Sequence, residues 1–262
     1  MAEPLQSPPL GDASARAPQP RNQPQNTLAV STVIFTLRPD PGSGLSSLWL
    51  PLVRRTRAPF RDQWALPGGW LSAVEEPDVA AARTLFETTE LTPTYLEQLY
   101  TFGALGRSPG DRVVSIVYWA LVQSDEAARS AADDNVRWFT ADRLPTLAFD
   151  HNRIVAYALW RLRTKMEYSR IAHSFLGETF TLAQLREVHE AVLLKALDPA
   201  NFRRSMESSG TLIDTGRRVS GTPHRPPRLF RYDDSGGSPE PSFTTSTTSP
   251  TTPRPADLPE TP

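Results

Sequence analysis

Along the first half of the chain, apolar positions recur mainly with a period of two. Residues 28–37 alternate and are rich in β-branched side chains (Val30, Val33 and Ile34 beside Phe35), the pattern of a strand. Pro39-Asp40-Pro41-Gly42 supplies a turn, and residues 48–54 predict a second strand paired with the first as a hairpin. Residues 96–105 and 112–123 predict two more strands, joined by Gly106-Arg107-Ser108-Pro109-Gly110-Asp111, and residues 136–139 a short edge strand. Elsewhere the period lengthens to that of a helix. From Pro77 onward, Val79, Ala82, Leu85 and Phe86 predict one apolar face; Asp150 caps a helix to about Glu167 with Ile154, Ala158 and Leu162 on its face. Strands and helices mix in one α+β unit.

From Tyr168 the texture changes. Thr181-Leu182-Ala183-Gln184 reads as a capping box opening a helix through Leu194, with Leu182, Leu185, Val188, Val192 and Leu193 as its stripe. Asp198-Pro199 pairs an N-cap residue with proline at the first helical position and opens a second helix to about Ser209, ended by Gly210. Residues 211–215 and 228–232 predict a two-stranded ribbon around a basic loop, residues 216–227. Helix, turn, helix, ribbon is the order of a winged helix-turn-helix. The ends differ again. Residues 1–26 are rich in Pro, Gln, Ala and Ser, and residues 234–262 in Ser, Thr, Pro and Gly; neither can bury apolar surface, so both are expected to be disordered. The expected organisation is thus 1–26 tail, 27–165 first unit, 166–233 winged helix, 234–262 tail.

Composition changes this picture little. The chain has 262 residues, a formal net charge of −1 and no cysteine. That excludes disulfides and thiolate metal sites, and fits a reducing compartment. No basic n-region followed by an apolar run is visible at the start, and no apolar stretch is long enough to span a bilayer. A cytoplasmic location with no membrane partner is expected.

Charge is uneven, however. Between Asn201 and Tyr232 there are seven arginines against Glu207 and Asp214, a local net charge of +5. A basic patch on a winged-helix pattern is the footprint of duplex DNA. Asn201, Arg203 and Arg204 lie near the N-terminus of the second helix, the end that meets base edges in such motifs; Asn pairs with adenine and Arg with guanine. Arg217, Arg218, His224 and Arg225 fall in the wing, suited to phosphate or the minor groove, and Arg228 follows on the returning strand. The bland alternative is a solvated ribbon packed on the first unit. His224 has no clustered partner and reads as an exposed wing residue rather than a ligand.

The chemistry centres on Trp64-Ala65-Leu66-Pro67-Gly68-Gly69-Trp70-Leu71, followed by Glu75, Arg83 and Glu87. Strand, glycine-rich loop and charged helix in that order resemble a Nudix box, G-x5-E-x7-R-E-U-x-E-E-x-G-U. Gly69 begins the pattern, and Glu75, Arg83, Glu87 and Leu91 keep it. Thr84 and Thr88 stand where two metal-holding glutamates belong, and Glu90 replaces a glycine. Hard cations such as magnesium need oxygen ligands in near-octahedral geometry, and positions i, i+3 and i+4 share a helix face. With two of three charges lost, metal affinity and Lewis-acid catalysis should go too. A pocket that binds without cutting is expected, with no catalytic residue and no required metal. Its candidate effector-binding residues are Arg54, Trp64, Gly68, Gly69, Glu75, Arg83, Glu87, Arg107 and Arg112. Trp64 can stack on an adenine or pack in the core; Arg107 and Arg112 can neutralise phosphates or merely solvate a loop. The competing account is a surface helix with an incidental Arg83/Glu87 pair.

The degenerate box followed by Phe149-Asp150-His151-Asn152-Arg153-Ile154, then Phe180-Thr181-Leu182, Asn201-Phe202-Arg203-Arg204 and Pro227-Arg228-Leu229-Phe230-Arg231-Tyr232, resembles the Nudix-related transcriptional regulators of NAD metabolism, the NrtR type. The resemblance spans about residues 27–233. It implies a Nudix-like α/β/α sandwich followed by a winged helix-turn-helix, assembled as a homodimer on a palindromic double-stranded operator near NAD synthesis or salvage genes. ADP-ribose or a related NAD-derived nucleotide would fill the pocket and release DNA. The alternative is an active ADP-ribose or nucleotide-sugar pyrophosphatase. The helix from Asp150 to Glu167 is the expected lever, and a cut near Lys165 is expected to spare nucleotide binding while abolishing DNA binding.

Overall fold

The computed structural model describes residues 26–233 except 94, 111, 129–133, 169–170 and 221–225; both expected tails and the wing residues His224 and Arg225 lie outside the described residues. A single strand organises the first unit. β1 (Thr27–Pro39) runs parallel to β6 (Val113–Leu121) over its first nine residues. Its other edge is shared: β4 (Gly68–Trp70) pairs antiparallel near its start, and β2 (Ser46–Arg54) antiparallel near its end. β5 (Tyr95–Phe102) extends the sheet beyond β6, while β3 (Trp64–Ala65) and β7 (Val136–Thr140) both pair with β2. The result is a mixed sheet of seven strands. The fifth strand stops at Phe102, short of the expected residue 105, because Gly106 and Gly110 take positive φ in the following turn.

Alternation along β1 sorts its side chains onto two faces. Ile34, with Ala120, Val122, Leu85, Leu91 and Ala127, packs beneath α1 (Pro77–Thr89) and α2 (Ser124–Ala128). Val33 and Phe35, with Leu48, Leu50, Leu52, Trp119 and Leu121, form the opposite and larger core. α3 (His151–Tyr168) lies there through Ile154, Ala158 and Leu162, the predicted face, all fully buried.

α1 corrects an expectation. Its buried residues are Ala80, Ala81, Thr84, Leu85 and Thr89, whereas Val79, Ala82 and Phe86 face outward. The reason is close packing. A Cβ on Gly69 would lie 3.1 Å from Thr84 Cγ2, so the buried face of α1 meets the glycine-rich strand at Thr84 with no room for a side chain on Gly69.

The C-terminal elements are a short 3-10 helix (Ile171–Phe175), α4 (Leu182–Leu193), α5 (Pro199–Ser208), β8 (Leu212–Arg218) and β9 (Arg228–Tyr232), the last two an antiparallel ribbon. The Thr181 capping box is present: its side chain accepts from Gln184 N–H while Gln184 accepts from Thr181 N–H. Asp198 caps α5 by accepting from Asn201 N–H. β8 runs further than expected and carries Arg217 and Arg218 on the strand rather than in the loop, with Gly216 at φ +72° where its register shifts.

These elements do not stand apart from the sheet. Phe180, Leu185, Val188, Val192 and Phe230 belong to the same buried cluster as Leu50, Leu52 and Phe35, and α4 packs on β2 and α3. Arg163 of α3 donates to the carbonyl of Val192 at 3.1 Å, near the C-terminus of α4. A cut near Lys165 would uncover the Leu50–Leu52 face of the sheet.

Candidate functional site

A cavity of about 430 Å3 opens on the α3 side of the sheet, beyond the N-terminus of that helix. Its floor is Ala29, Val30 and Ser31 of β1 with Val113 and Ser115 of β6; Ser31 and Ser115 share a hydrogen bond of 3.1 Å. One wall is Gly68, Gly69 and Trp70. Gly68 has no room for a side chain, since a Cβ there would sit 2.3 Å from Val30 O. The opposite wall is the loop from Arg54 to Pro59. Arg54, Arg55 and Arg57 thus stand at the mouth, Arg55 stacking 4.6 Å from the Phe149 ring centroid. The size suits a nucleotide, and the arginines suit its phosphates.

The N-terminus of α3 closes the cavity. Arg107 grips Asp150 through two bonds, 2.7 and 3.1 Å, with its side chain 5 % exposed. His151, buried, accepts a hydrogen bond from Leu66 N–H at Nδ1, 2.9 Å. Desolvation pushes its pKa down to about 3, with Asp150 opposing and Arg107 and Arg55 adding to the shift.

The Nudix-like helix has become self-contained. Arg83 donates to both oxygens of Glu75, 2.7 and 2.8 Å, and to Glu87 at 3.1 Å. The guanidinium holds the Glu75 carboxyl below its ordinary range. Thr84 is buried and its hydroxyl donates to Ala81 O; the Thr88 hydroxyl donates to Thr84 O. No group of three or more His, Cys, Asp or Glu among the described residues could hold a metal ion. The donor set does not fit magnesium: one carboxylate pair already faces a cation, and both hydroxyls are engaged by the helix backbone.

At the other end of the molecule, α5 buries none of its residues fully. Phe202 and Met206 lean on the core, while Asn201, Arg203 and Arg204 face solvent, as do Arg217 and Arg218 on the ribbon. That helix end is exposed, with the Asp198 carboxylate accepting from Asn201 N–H.

Comparison with known proteins meets this geometry at both ends. Residues 28–158 match the NUDIX domain model and residues 172–232 the NrtR DNA-binding winged helix domain. A curated relative, the ADPR responsive transcriptional repressor NtrR of Acinetobacter baylyi, is 30% identical over 220 residues, 82% of this chain and 85% of the relative. The chain belongs to the NrtR family. Crystal structures of Shewanella oneidensis NrtR agree. Alone, that protein is 34% identical with a TM-score of 0.68 over 80% of this chain and 96% of its own; complexed with a 27mer DNA, it is 33% identical with a TM-score of 0.67, over 79% and 94%. An ADP-ribose pyrophosphatase of Methanocaldococcus jannaschii is 32% identical over 111 residues, 42% of this chain and 66% of its own.

Within this NrtR-type frame the predicted residues divide. Arg54, Gly68, Gly69 and Arg107 line the cavity; Trp64, Glu75, Arg83, Glu87 and Arg112 do not. Trp64 packs edge-on against Phe139, 5.2 Å between centroids, so the core-packing alternative holds. Arg112 is exposed and donates to Ala104 O. Arg107 reaches the wall with its charge already matched by Asp150. On the DNA side, Arg228 sits in an ion-pair network. It donates to Glu207 at 2.7 Å and Asp214 at 2.8 Å, fastening the ribbon to α5. Arg203 also pairs with Glu207, at 3.1 Å, yet stays exposed, and Arg218 donates to Pro226 O.

Sequence reasoning missed Arg55, Arg57, Trp70, Phe149 and His151. Trp70 is 62 % exposed and lines the cavity beside the glycines. The run Arg54-Arg55-Thr56-Arg57 was the available signal, three cations in four residues before a proline.

Proposed function

We propose that this chain is a DNA-binding transcriptional repressor of NAD synthesis or salvage genes that binds ADP-ribose, or a related NAD-derived nucleotide, and releases its operator when it does. The observation that carries the reading is the pairing of an arginine-mouthed cavity with a solvent-facing, arginine-bearing winged helix through one shared core. Its relatives support it by name: one is called ADPR responsive, another is complexed with a 27mer DNA. In this reading residues 27–165 hold effector and 166–233 read DNA, in the cytoplasm, as a homodimer on a palindromic operator. Two wings of a dimer meet half-sites one helical turn apart, so a small relative rotation spoils the fit. No helix among the described residues is long and apolar enough to cross a membrane.

The cavity binds rather than hydrolyses. Support comes from Arg83 holding Glu75 and Glu87, and from Thr84 and Thr88 bonded to their own helix. Effector-contacting roles go to Arg54, Arg55, Arg57, Gly68, Gly69 and Trp70, and DNA-contacting roles to Asn201, Arg203, Arg204, Arg217 and Arg218. The likeness to an ADP-ribose pyrophosphatase favours the same ligand class and keeps hydrolysis as the rival account.

Two measurements on the full chain test this. Gel-shift titration on a candidate operator should show release by ADP-ribose; unchanged retardation at saturating nucleotide would reject effector control. Incubation with ADP-ribose and magnesium should give no turnover at ordinary enzyme rates, about 1–1000 per second. Turnover in that range would establish the rival.

A further inference from the structure

His151 is 94 % buried by exposure of 6 %, yet one of its ring nitrogens is committed and the other is not. Nδ1 accepts from Leu66 N–H, so in the neutral ring the proton sits on Nε2. Nε2 has no hydrogen-bond partner among the described residues, and the ring lines the cavity. Nε2 is not among the fully buried side-chain atoms that lack a partner, so it meets accessible space, and the space that the ring lines is the cavity.

Charge within the cavity is segregated by depth. The mouth carries Arg54, Arg55 and Arg57. The floor offers the Ser31 and Ser115 hydroxyls among apolar neighbours, and Arg107 beside it is already matched by Asp150. A phosphate lowered to that floor would leave the three arginines of the mouth behind for the Ser31 and Ser115 hydroxyls and an arginine whose charge Asp150 already matches. An uncharged group carrying lone pairs would be matched.

We propose that the His151 Nε2–H is a specificity donor reserved for an uncharged acceptor of the ligand, so that the ligand enters neutral end first and leaves its phosphates at the arginine mouth. This rests on the nucleotide-binding reading above. The neutral acceptor belongs either to a ribose, as a hydroxyl or ring oxygen, or to a base, as a ring nitrogen.

The test uses the full chain and two substitutions that separate structure from recognition. His151→Asn keeps an acceptor at the δ position for Leu66 N–H and loses the deep donor. His151→Gln places an N–H at the ε position and loses the acceptor. Affinities for ADP-ribose, AMP, ribose 5-phosphate and inorganic pyrophosphate are measured by calorimetry, with melting temperatures recorded beside them. His151→Asn should melt near the parent and bind ADP-ribose about tenfold more weakly, the loss of one neutral hydrogen bond. His151→Gln should recover to within about threefold. A parallel loss for ribose 5-phosphate and not AMP assigns the floor to the terminal ribose; a loss for AMP and not ribose 5-phosphate assigns it to the adenosine end; a loss for both assigns it to a ribose; each supports the proposal. Weakened pyrophosphate binding by His151→Asn would overturn it, because the donor would then face phosphate. Unchanged affinity for all four would also overturn it, leaving a merely structural histidine. A parent chain that binds pyrophosphate but no nucleotide would instead sink the nucleotide reading, and the proposal with it.

Discussion

Burial forces a protonation state on His151 whatever ligand it meets. Its pKa, pushed down to about 3 from an ordinary 6.5, means the folded chain excludes a proton that the unfolded chain accepts. The sign follows by linkage: stability is fully present above about pH 6.5 and is lost as pH falls toward 3, by up to about 1.4 kcal/mol per pH unit from this group. Urea denaturation of the parent and of His151→Asn at pH 7 and pH 5 checks it. The parent should lose more stability over that interval than the variant; equal losses would count against a neutral buried ring. Why this residue escaped the sequence is plain. A single histidine inside an apolar helical face carries no spacing signal, and only the fold reveals that Leu66 N–H meets one side of it. Trp64 and Trp70 make the same point in reverse. They flank one glycine-rich stretch, and local pattern cannot say which turns inward; pairing of β3 with β2 sends Trp64 to Phe139 and leaves Trp70 at the cavity mouth. The losses at Thr84 and Thr88, by contrast, were legible, because a motif's spacing survives its chemistry.

At the scale of elements, legibility followed the strength of the local rule. The α4 capping box and the Asp198-Pro199 start of α5 were readable because each rests on a side chain bonding a backbone N–H within three residues. The face of α1 was misread because its period admits two phases. Tertiary packing chose the one with alanines and threonines, since Gly69 demands a close neighbour. The end of α1 shows a cost left in place. Glu90 caps the helix in the left-handed region, φ 58°, donating its N–H to Phe86 O. The family pattern has glycine there, and glycine carries no Cβ penalty. Glu90→Gly should therefore raise unfolding free energy by about 1 kcal/mol, measured by urea titration. A loss of stability would mean that the Glu90 side chain contributes something its exposed position does not suggest.

For the whole molecule, the winged helix is not a bead on a string. Phe180, Leu185, Val188 and Val192 bury themselves with Leu50 and Leu52 of the sheet, and Arg163 ties α3 to α4. Chain order alone suggested two separable units, because sequence patterns show which face of a helix is apolar and not which surface will cover it. One cooperative unit predicts one calorimetric unfolding transition, with matching calorimetric and van't Hoff enthalpies. Two resolved transitions would refute the shared core. The same continuity gives a physical route from cavity to DNA: the wall residue His151 and the α4 anchor Arg163 lie on one rigid helix, so a ligand that shifts its first turn shifts what is packed at its other end.

Arg83 offers a last consequence. Its guanidinium sits between Glu75 and Glu87 as a counter-ion delivered by the polypeptide itself. Such an ion is present at fixed stoichiometry from the moment of folding and can be neither chelated nor exchanged. The two carboxylates that it matches are thus neutralised from within the chain, with no dissolved cation drawn into the helix.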